Sequence, residues 1–170
     1  MQTTDNQDEV FDIVDSDDTV IGQRTRQECN TNPDLIHRSI YILVYNDQNE
    51  ILWQKRSPTK DVAPGQWVTS VSGHVDAGET YEETAHREIK EELGLQLPLE
   101  YLGKFLFRYQ NENEFSTIFK AHSNGPFHFN REEISVINFM TVDQLLEKGL
   151  KKELKITLAA RFVIDALSLD

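Results

Sequence analysis

The sequence predicts an α/β protein in which helices pack against a mixed central sheet, as in an α/β/α sandwich. Segments rich in β-branched and aromatic residues are separated by turn residues, and these predicted strands alternate with three predicted helices. Residues 39–45 are almost continuously apolar, which is typical of a central strand. The chain has 170 residues, so a single compact unit is long enough to bury a hydrophobic core.

The N-terminal part, residues 1–36, predicts a polar tail and a β-hairpin that pack on the same domain as residues 37–170. Residues 9–14 and 19–23 are the two hairpin strands, and the Asp-Ser-Asp-Asp sequence at residues 15–18 forms the turn. Turns favour Asp and Ser because these side chains hydrogen bond to nearby backbone groups. We therefore interpret the turn as a solvated hairpin tip, with cation binding as the alternative.

The remaining strands are bounded by turn and loop residues. Pro58, Pro64 and Gly65 mark a loop that precedes a strand leading into Gly73. After the hairpin, strands are predicted at residues 39–45, 50–56, 67–71, 102–109, 115–121 and 134–140.

Capping residues and apolar periodicity predict the three helices. Thr80 and Glu83 have the spacing of a capping box, and Gly94 suits the left-handed conformation at a helix C-terminus, so a helix spans residues 81–93. Two further helices are predicted, a short one from residue 141 and a longer, strongly apolar one over residues 152–167.

Composition and charge exclude several classes of function. The 29 acidic and 17 basic residues give a net charge of -12, which argues against binding to a nucleic-acid duplex. No apolar run approaches the roughly 20 residues that span a bilayer, and no basic region precedes an apolar stretch at the N-terminus. We therefore expect a cytoplasmic protein with no membrane partner. Cys29 is the only cysteine, so any metal ion must be held by oxygen or imidazole.

The helix predicted at residues 81–93 carries three carboxylates on one side. Its apolar residues recur every four positions, whereas Glu88, Glu91 and Glu92 cluster on another face. Like charges at this spacing destabilise a helix by roughly 0.2 to 0.5 kcal/mol per pair unless a cation lies between them. Mg²⁺ would relieve the repulsion because it prefers oxygen ligands. The alternative is a solvated acidic face.

Residues 73–95 fit a spaced pattern that contains this acidic face. Gly73 is followed by five residues and Glu79, then by seven residues and the sequence Arg-Glu-Ile-Lys-Glu-Glu-Leu-Gly-Leu at 87–95. These residues match the Nudix box at its seven fixed and two aliphatic positions, and seven fixed matches arise by chance at on the order of one in 10⁹ starting points. The chain resembles the Nudix hydrolases. The resemblance implies an α/β/α sandwich with a mixed sheet and the box helix on one side.

The resemblance also implies a metal site for Mg²⁺, with Mn²⁺ as a substitute. Glu88 and Glu92 would be the principal ligands, Glu91 a further ligand or the general base, and the Gly73 carbonyl group would contribute. A glutamate from a later segment often joins them, and Glu133 matches that position, with the adjacent glutamate as the alternative.

Arg87 and Glu79 would orient these glutamates, so the implied catalytic residues are Glu91, Glu92 and Arg87. The implied reaction is hydrolysis of a diphosphate linkage by Mg²⁺-activated water, in a nucleoside diphosphate derivative or a similar small molecule. A carboxylate, Glu91 or one outside the box, would accept the proton from water. The sequence leaves open whether the chain forms a homodimer.

Outside the box, the chain resembles type 1 isopentenyl diphosphate isomerase, a related branch of the Nudix superfamily. That isomerase holds its metal ion with three histidines and two glutamates. This sequence matches four of these five ligands, namely His37, His74, Glu112 and Glu114. Asn30 stands at the position of the missing histidine. Imidazole and carboxylate groups together form a plausible divalent site. The basic residues that match its diphosphate-binding positions are Arg56, Lys60 and Arg26, and His74 also lies where it can contact phosphate.

Two departures separate the chain from that isomerase. Ser72 stands where the isomerase has its catalytic cysteine, and a hydroxyl group is a far weaker acid than a thiol. The tryptophan that caps the isomerase's substrate has no counterpart, since Trp53 and Trp67 are the only tryptophans. We therefore expect hydrolysis rather than isomerisation. A binding domain without catalysis is disfavoured because every box carboxylate is present.

Overall fold

The computed structural model describes residues 3, 5–108 and 113–169, in which one mixed sheet joins nine strands and four helices pack around it. The strands are β1 Val10–Val14, β2 Val20–Thr25, β3 Ile36–Tyr45, β4 Ile51–Arg56, β5 Trp67–Val68, β6 Val71–His74, β7 Glu100–Arg108, β8 Asn113–His122 and β9 Ile134–Met140. The helices are α1 Arg26–Thr31, α2 Tyr81–Leu93, α3 Val142–Leu150 and α4 Leu158–Leu167.

Strand β3 is the centre of the sheet, as its apolar sequence predicts. It pairs in parallel with β8 along its whole length, from Ile36 opposite Asn113 to Tyr45 opposite His122. It pairs antiparallel with β1, β4 and β6. The sheet is therefore mixed, and the predicted α/β fold is confirmed.

Alternate residues of β3 pack into two separate cores on the two faces of the sheet. Tyr41 and Leu43 join a core that contains Leu145 of α3 and Val163 of α4. Ile40, Ile42 and Val44 join the other core, which contains three buried residues of α2: Ala85, Ile89 and Leu93. Because successive side chains of a strand point to opposite faces, α2 lies on one side and α3 and α4 on the other. The expected sandwich, with α2 on one side, is present.

The acidic turn between β1 and β2 is exposed at Ser16 and Asp17, as expected of a hairpin tip, but Asp18 is not freely solvated. The Asp18 side chain is only 7% exposed, and its carboxylate accepts hydrogen bonds from Arg38 Nε at 2.7 Å and Lys104 Nζ at 2.6 Å. The hydroxyl group of Tyr81, the first residue of α2, also donates to it at 3.1 Å. Protein cations occupy the position that a bound cation would take, so the turn fastens the hairpin to β3, β7 and α2.

The structure differs from the sequence-based prediction at two helices. The C-terminal helix α4 begins at Leu158 rather than at residue 152, because Ile156 bridges to Trp67 and Thr157 forms the N-cap. Helix α1 was not predicted, although Thr25 and Glu28 form a capping box at its start. Among the described residues, no helix is both long and apolar enough to cross a membrane.

Candidate active site

Helix α2 is fixed at both ends and along one face. Thr80 and Glu83 form the predicted capping box, and Gly94 adopts the left-handed conformation at the C-terminus, with φ 70°. Ala85, Ile89 and Leu93 are completely buried against the sheet. This packing fixes the rotation of the helix and turns its carboxylates towards the preceding loop and strand β4.

The backbone of Gly73 lies directly against the carboxyl group of Glu88. A Cβ atom on Gly73 would lie 2.4 Å from Glu88 Cδ and 2.5 Å from Oε1, well inside van der Waals contact. Only glycine permits this approach, so β6 and α2 bring a backbone segment and a mostly buried carboxylate together.

Arg87 links the loop before α2 to the glutamates of the box. Its Nε and Nη2 atoms donate to both oxygens of Glu79, at 3.0 and 2.8 Å, and its Nη1 atom donates to Glu88 Oε1 at 2.7 Å. Glu91 Oε2 lies 3.4 Å from the same Nη1 atom. Thr84 Oγ1 donates to Glu79 at 2.7 Å and completes the support of that carboxylate. The guanidinium group thus has contacts that orient Glu88.

The third box carboxylate, Glu92, is buried, and a residue outside the Nudix box contacts it. Gln54 of β4 donates from Nε2 to Glu92 Oε2 at 2.7 Å. Gln54 is not recognisable as a site residue from the sequence, because no motif connects positions 54 and 92. Its location in a buried strand is the only available signal, since a buried amide requires a polar partner.

Burial and neighbouring negative charges raise the pKa values of Glu88 and Glu92. Burial raises the pKa of Glu88 to about 7, and the charges of Glu91 and Glu133 add to this shift, whereas Arg87 opposes it. Burial and the charge of Glu88 raise the pKa of Glu92 well above its usual range, and the hydrogen bond from Gln54 only partly offsets them. Carboxylate oxygens that share one cavity with too little positive charge are the donor type that a hard divalent cation prefers, although among the described residues only His37, His74 and Glu114 bring three donor atoms within 4.8 Å of one another.

Glu91 and Glu133 complete the predicted carboxylate set at the edge of the group. The Glu91 side chain is 58% exposed, whereas the Glu133 side chain is partly buried and contacts Lys60 Nζ. The charge of Glu133 acts on both Glu88 and Glu92, so Glu133 belongs to the same cluster.

A single cavity of about 810 Å³ connects this cluster with most of the other predicted site residues. Its cationic lining residues are Arg26, Arg56, Lys60 and Arg87. Its acidic lining residues are Asp5, Glu9, Asp61, Glu88, Glu91, Glu92, Glu114 and Glu133. Gly73, His74, Ser72 and Asn30 also line it. Eight carboxyl groups therefore face four cationic side chains across one space.

The two predicted histidines and Glu114 form a second cluster at the cavity wall. Nε2 of His37 lies 3.5 Å from Glu114 Oε1, and Nε2 of His74 lies 3.7 Å from the same oxygen. One donor atom from each of the three residues lies within 4.8 Å of the others. Phe11 stacks against both imidazole rings, with ring centroids 5.5 and 4.7 Å away. Only His74 and Glu114 reach the cavity, because His37 is completely buried behind them.

The protonation of this second cluster suits metal binding. Burial lowers the pKa of His74 to about 4, so its imidazole is neutral at neutral pH. Burial alone would raise the pKa of Glu114, but the neighbouring imidazole groups outweigh it and hold this pKa well below its usual range. Ser39 Oγ and Tyr41 OH also donate to Glu114 Oε2, at 2.8 and 3.1 Å. Neither ring nitrogen of His37 has a hydrogen-bond partner among the described residues.

The remaining residues suggested by the isomerase resemblance have different surroundings. Glu112 lies outside the described residues. Asn30 donates from Nδ2 to Asp61 at 3.2 Å, and its buried Oδ1 atom has no partner among the described residues. Arg26 is buried in ion pairs, including Nε to Asp61 Oδ2 at 2.9 Å and Nη1 to Glu9 Oε2 at 2.9 Å. Arg56 donates from Nε to the carbonyl group of Val62.

Comparisons with known proteins agree with this architecture. The model of the NUDIX domain matches residues 35–161. An uncharacterized Nudix hydrolase of Yersinia pestis is 36% identical over 138 residues, which are 81% of this chain and 75% of that protein. The crystal structure of DR0079 from Deinococcus radiodurans has a TM-score of 0.80 and 28% identity, covering 92% of this chain and 98% of that chain.

An isomerase is also similar, over a shorter stretch. Isopentenyl-diphosphate Delta-isomerase 2 of Photorhabdus laumondii is 34% identical over 100 residues, which are 59% of this chain and 56% of that protein. The domain match, in contrast, covers most of the chain, and the Yersinia relative matches four fifths of it. The chain therefore belongs to the Nudix hydrolase family, whose enzymes act on pyrophosphate bonds.

Proposed function

We propose that this protein hydrolyses the diphosphate linkage of a small molecule, such as a nucleoside diphosphate derivative, with the help of Mg²⁺ or Mn²⁺. The observation that carries the proposal is the convergence of Glu88, Glu91 and Glu92 on one cavity, with Gly73 packed against Glu88 and Arg87 in contact with it. Chance surface acidity would not produce buried carboxyl groups with this support.

The charge of the cavity supports a requirement for divalent cations. Eight acidic side chains line it, against four cationic ones, so a diphosphate would meet net repulsion in the protein alone. Glu88 and Glu92 would hold the cation, with Glu133 and the Gly73 carbonyl group as further donors. When bound, Mg²⁺ would neutralise charge on the phosphate oxygens and lower the pKa of the water bound to it.

The protein residues would bind and orient the reactants. Arg87 holds Glu88 in place through a hydrogen bond of 2.7 Å, while Glu79 holds Arg87. Glu91 is the most exposed of the three box carboxylates, so it can accept the proton of the attacking water. Arg56 faces the cavity, and no carboxylate of the described residues pairs with it, so it can bind a phosphate oxygen.

The His37, His74 and Glu114 cluster would hold a second divalent cation. Its donors are one carboxylate and two imidazoles, a set that suits Mn²⁺ or Zn²⁺ better than Mg²⁺. His74 and Glu114 face the same cavity as the box carboxylates, so this cation would add positive charge beside the substrate.

The test is incubation with Mg²⁺ of nucleotide sugars, dinucleoside polyphosphates, nucleoside triphosphates and prenyl diphosphates, with the phosphorylated products separated by chromatography or converted to phosphate by an added phosphatase. Glu88→Gln and Glu92→Gln should each abolish turnover of the accepted substrate while thermal unfolding shows an intact fold. Glu82→Gln is the matched control, because Glu82 is an exposed glutamate of the same helix. Undiminished activity in both box variants would refute the proposal.

The resemblance to the isomerase predicts a different reaction, which a separate experiment on isopentenyl diphosphate would detect. A prenyl diphosphate isomerase would incorporate deuterium into isopentenyl diphosphate in D₂O without releasing phosphate, which a proton NMR time course detects. We expect no such exchange, because Ser72 lines the cavity where that chemistry requires a thiol.

A further inference from the structure

The carboxylate of Asp5 is inserted into the wall of the cavity, where cations and a backbone amide hold it. Its side chain is 4% exposed. Oδ1 contacts Lys60 Nζ and lies 3.5 Å from Arg26 Nη2, and Oδ2 accepts a hydrogen bond from the Asp61 backbone N–H at 2.7 Å. Thr3 Oγ1 lies 3.2 Å from the same Oδ2 atom. An acidic side chain from the N-terminal segment thus lies against two cationic groups and a backbone N–H.

The groups that hold Asp5 are of the kinds that also bind other oxyanions, although Lys60 and Arg26 each have further acidic partners. An ammonium group, a guanidinium group and a backbone N–H that converge on one point are the usual donors for carboxylate and phosphate oxygens. We call the place formed by Lys60 Nζ, Arg26 Nη2 and Asp61 N the Asp5 subsite. Asp5 fills it, so a phosphate group could enter only by displacing this side chain.

The Asp5 subsite lies next to the proposed metal-binding carboxylates. Lys60 Nζ contacts Asp5 on one side and Glu133 on the other. Glu133 is close enough to Glu88 and Glu92 for its charge to act on both. A chain of phosphates that extends from the metal site past Lys60 therefore meets the negative charge of Asp5.

Arg56 provides a contrast on the same cavity wall. Its guanidinium group donates to the Val62 carbonyl group and has no ion pair with a described carboxylate. Lys60 and Arg26, in contrast, already have two or more acidic partners. Among the described cationic residues that line the cavity, Arg56 is thus the one without an ion pair, although its charge also acts on Glu92.

We propose that Asp5 is a specificity-determining residue that fills an anion subsite and so disfavours ligands with a further phosphate beyond the diphosphate. The inference rests on the proposed function, since it assumes that phosphates bind in this cavity. It assigns to the N-terminal segment, which precedes the match to the NUDIX domain, a role in selecting substrates by charge.

The test compares the binding of two inorganic ions, pyrophosphate and tripolyphosphate, by calorimetry in the presence of Mg²⁺. Asp5→Asn removes the charge but keeps an oxygen that can accept from Asp61 N. This variant should bind tripolyphosphate about tenfold more tightly than the wild-type protein does, with a change of less than about twofold for pyrophosphate. Asp5→Glu keeps the negative charge and should keep wild-type selectivity. Asp8→Asn, an exposed neighbour, is the matched control.

The outcomes separate this inference from the proposed function. Equal gains for both ions, no gain, or weaker binding of tripolyphosphate by an Asp5→Asn variant with an unchanged melting temperature would overturn the role of Asp5. Binding is read without turnover, and phosphate release is followed in the same samples. Selective binding without hydrolysis of any substrate would refute the proposed function and leave the Asp5 subsite standing.

Discussion

Gly73 and Glu88 are in contact through the backbone of one and the carboxyl group of the other, and this contact fixes the spacing between strand β6 and helix α2. A Cβ atom on Gly73 would lie 2.4 Å from Glu88 Cδ. The Glu88 side chain is mostly buried, and Arg87 holds it from the other side. A larger residue at position 73 must therefore displace a carboxylate that we assign to the metal.

Gly73→Ala should raise the Mg²⁺ concentration needed for half-maximal activity by about tenfold or more, because the displaced Glu88 no longer faces its partners. The measurement is a Mg²⁺ titration of the rate at which the accepted substrate is cleaved. Gly22→Ala is the control, since nothing lies within 4 Å of a Cβ atom at that position. Wild-type Mg²⁺ dependence in the Gly73 variant would show that Glu88 is not a ligand.

Arg87→Lys should lower kcat by about 10- to 100-fold, the usual effect of losing a residue that orients metal ligands. Lysine keeps the charge, but it cannot donate to Glu79 and Glu88 from separate nitrogens of one planar group. Steady-state kinetics at saturating Mg²⁺ measure the effect. Arg24→Lys, at an exposed arginine paired with Glu28, should be neutral. Equal kcat values for the two variants would argue that Arg87 serves only as a surface charge.

Gln54→Met should weaken Mg²⁺ binding, because it removes the donor that holds Glu92 Oε2 at 2.7 Å. Methionine has a similar volume and keeps the buried strand packed, so the melting temperature should change little. We expect about a tenfold higher Mg²⁺ requirement for activity, measured by titration. Gln48→Met, in an exposed turn, controls for the substitution itself. An unchanged requirement would mean that α2 alone positions Glu92.

The sequence best predicted the features that depend on residues close to one another along the chain. Thr80, Glu83 and Gly94 predicted the ends of α2 from their own spacing, and the apolar residues of β3 predicted its central position. The same local reasoning overextended α4, since Ile156 continues the apolar pattern but pairs with Trp67 instead. Hydrophobicity alone does not distinguish a helical turn from a short extended segment.

Contacts between distant residues could not be predicted from one sequence. Gln54 meets Glu92 across 38 positions, and Asp5 meets Lys60 across 55. No period or spaced motif joins such pairs, because the sheet order decides which side chains meet. Asp18 shows the same limit, as turn chemistry explains the turn but not the two cations that bury its carboxylate.

The contacts of Asp18 make a pH-dependent contribution to stability. Burial raises the pKa of a carboxyl group, but the hydrogen bonds from Lys104 and Arg38 outweigh it here and lower the pKa of Asp18. A lowered pKa in the folded state stabilises the protein above the unfolded-state pKa, which is about 3.9 for aspartate. This stabilisation is lost as the pH falls through the folded-state pKa.

Asp18→Asn should therefore lower the free energy of unfolding by about 2 kcal/mol at pH 7, a typical value for hydrogen bonds to a charged group. The difference from the wild-type protein should begin to shrink below about pH 4, where the carboxyl group takes up a proton in the unfolded state, and should continue to shrink as the pH falls towards the lowered pKa of the native carboxylate. Urea unfolding at pH 7, 5 and 3.5 measures both. Asp17→Asn, at the exposed neighbouring position, should be neutral throughout. A difference that stays constant across this range would mean that the ion pairs of Asp18 do not stabilise the fold, and that its effect comes from the shape of the turn.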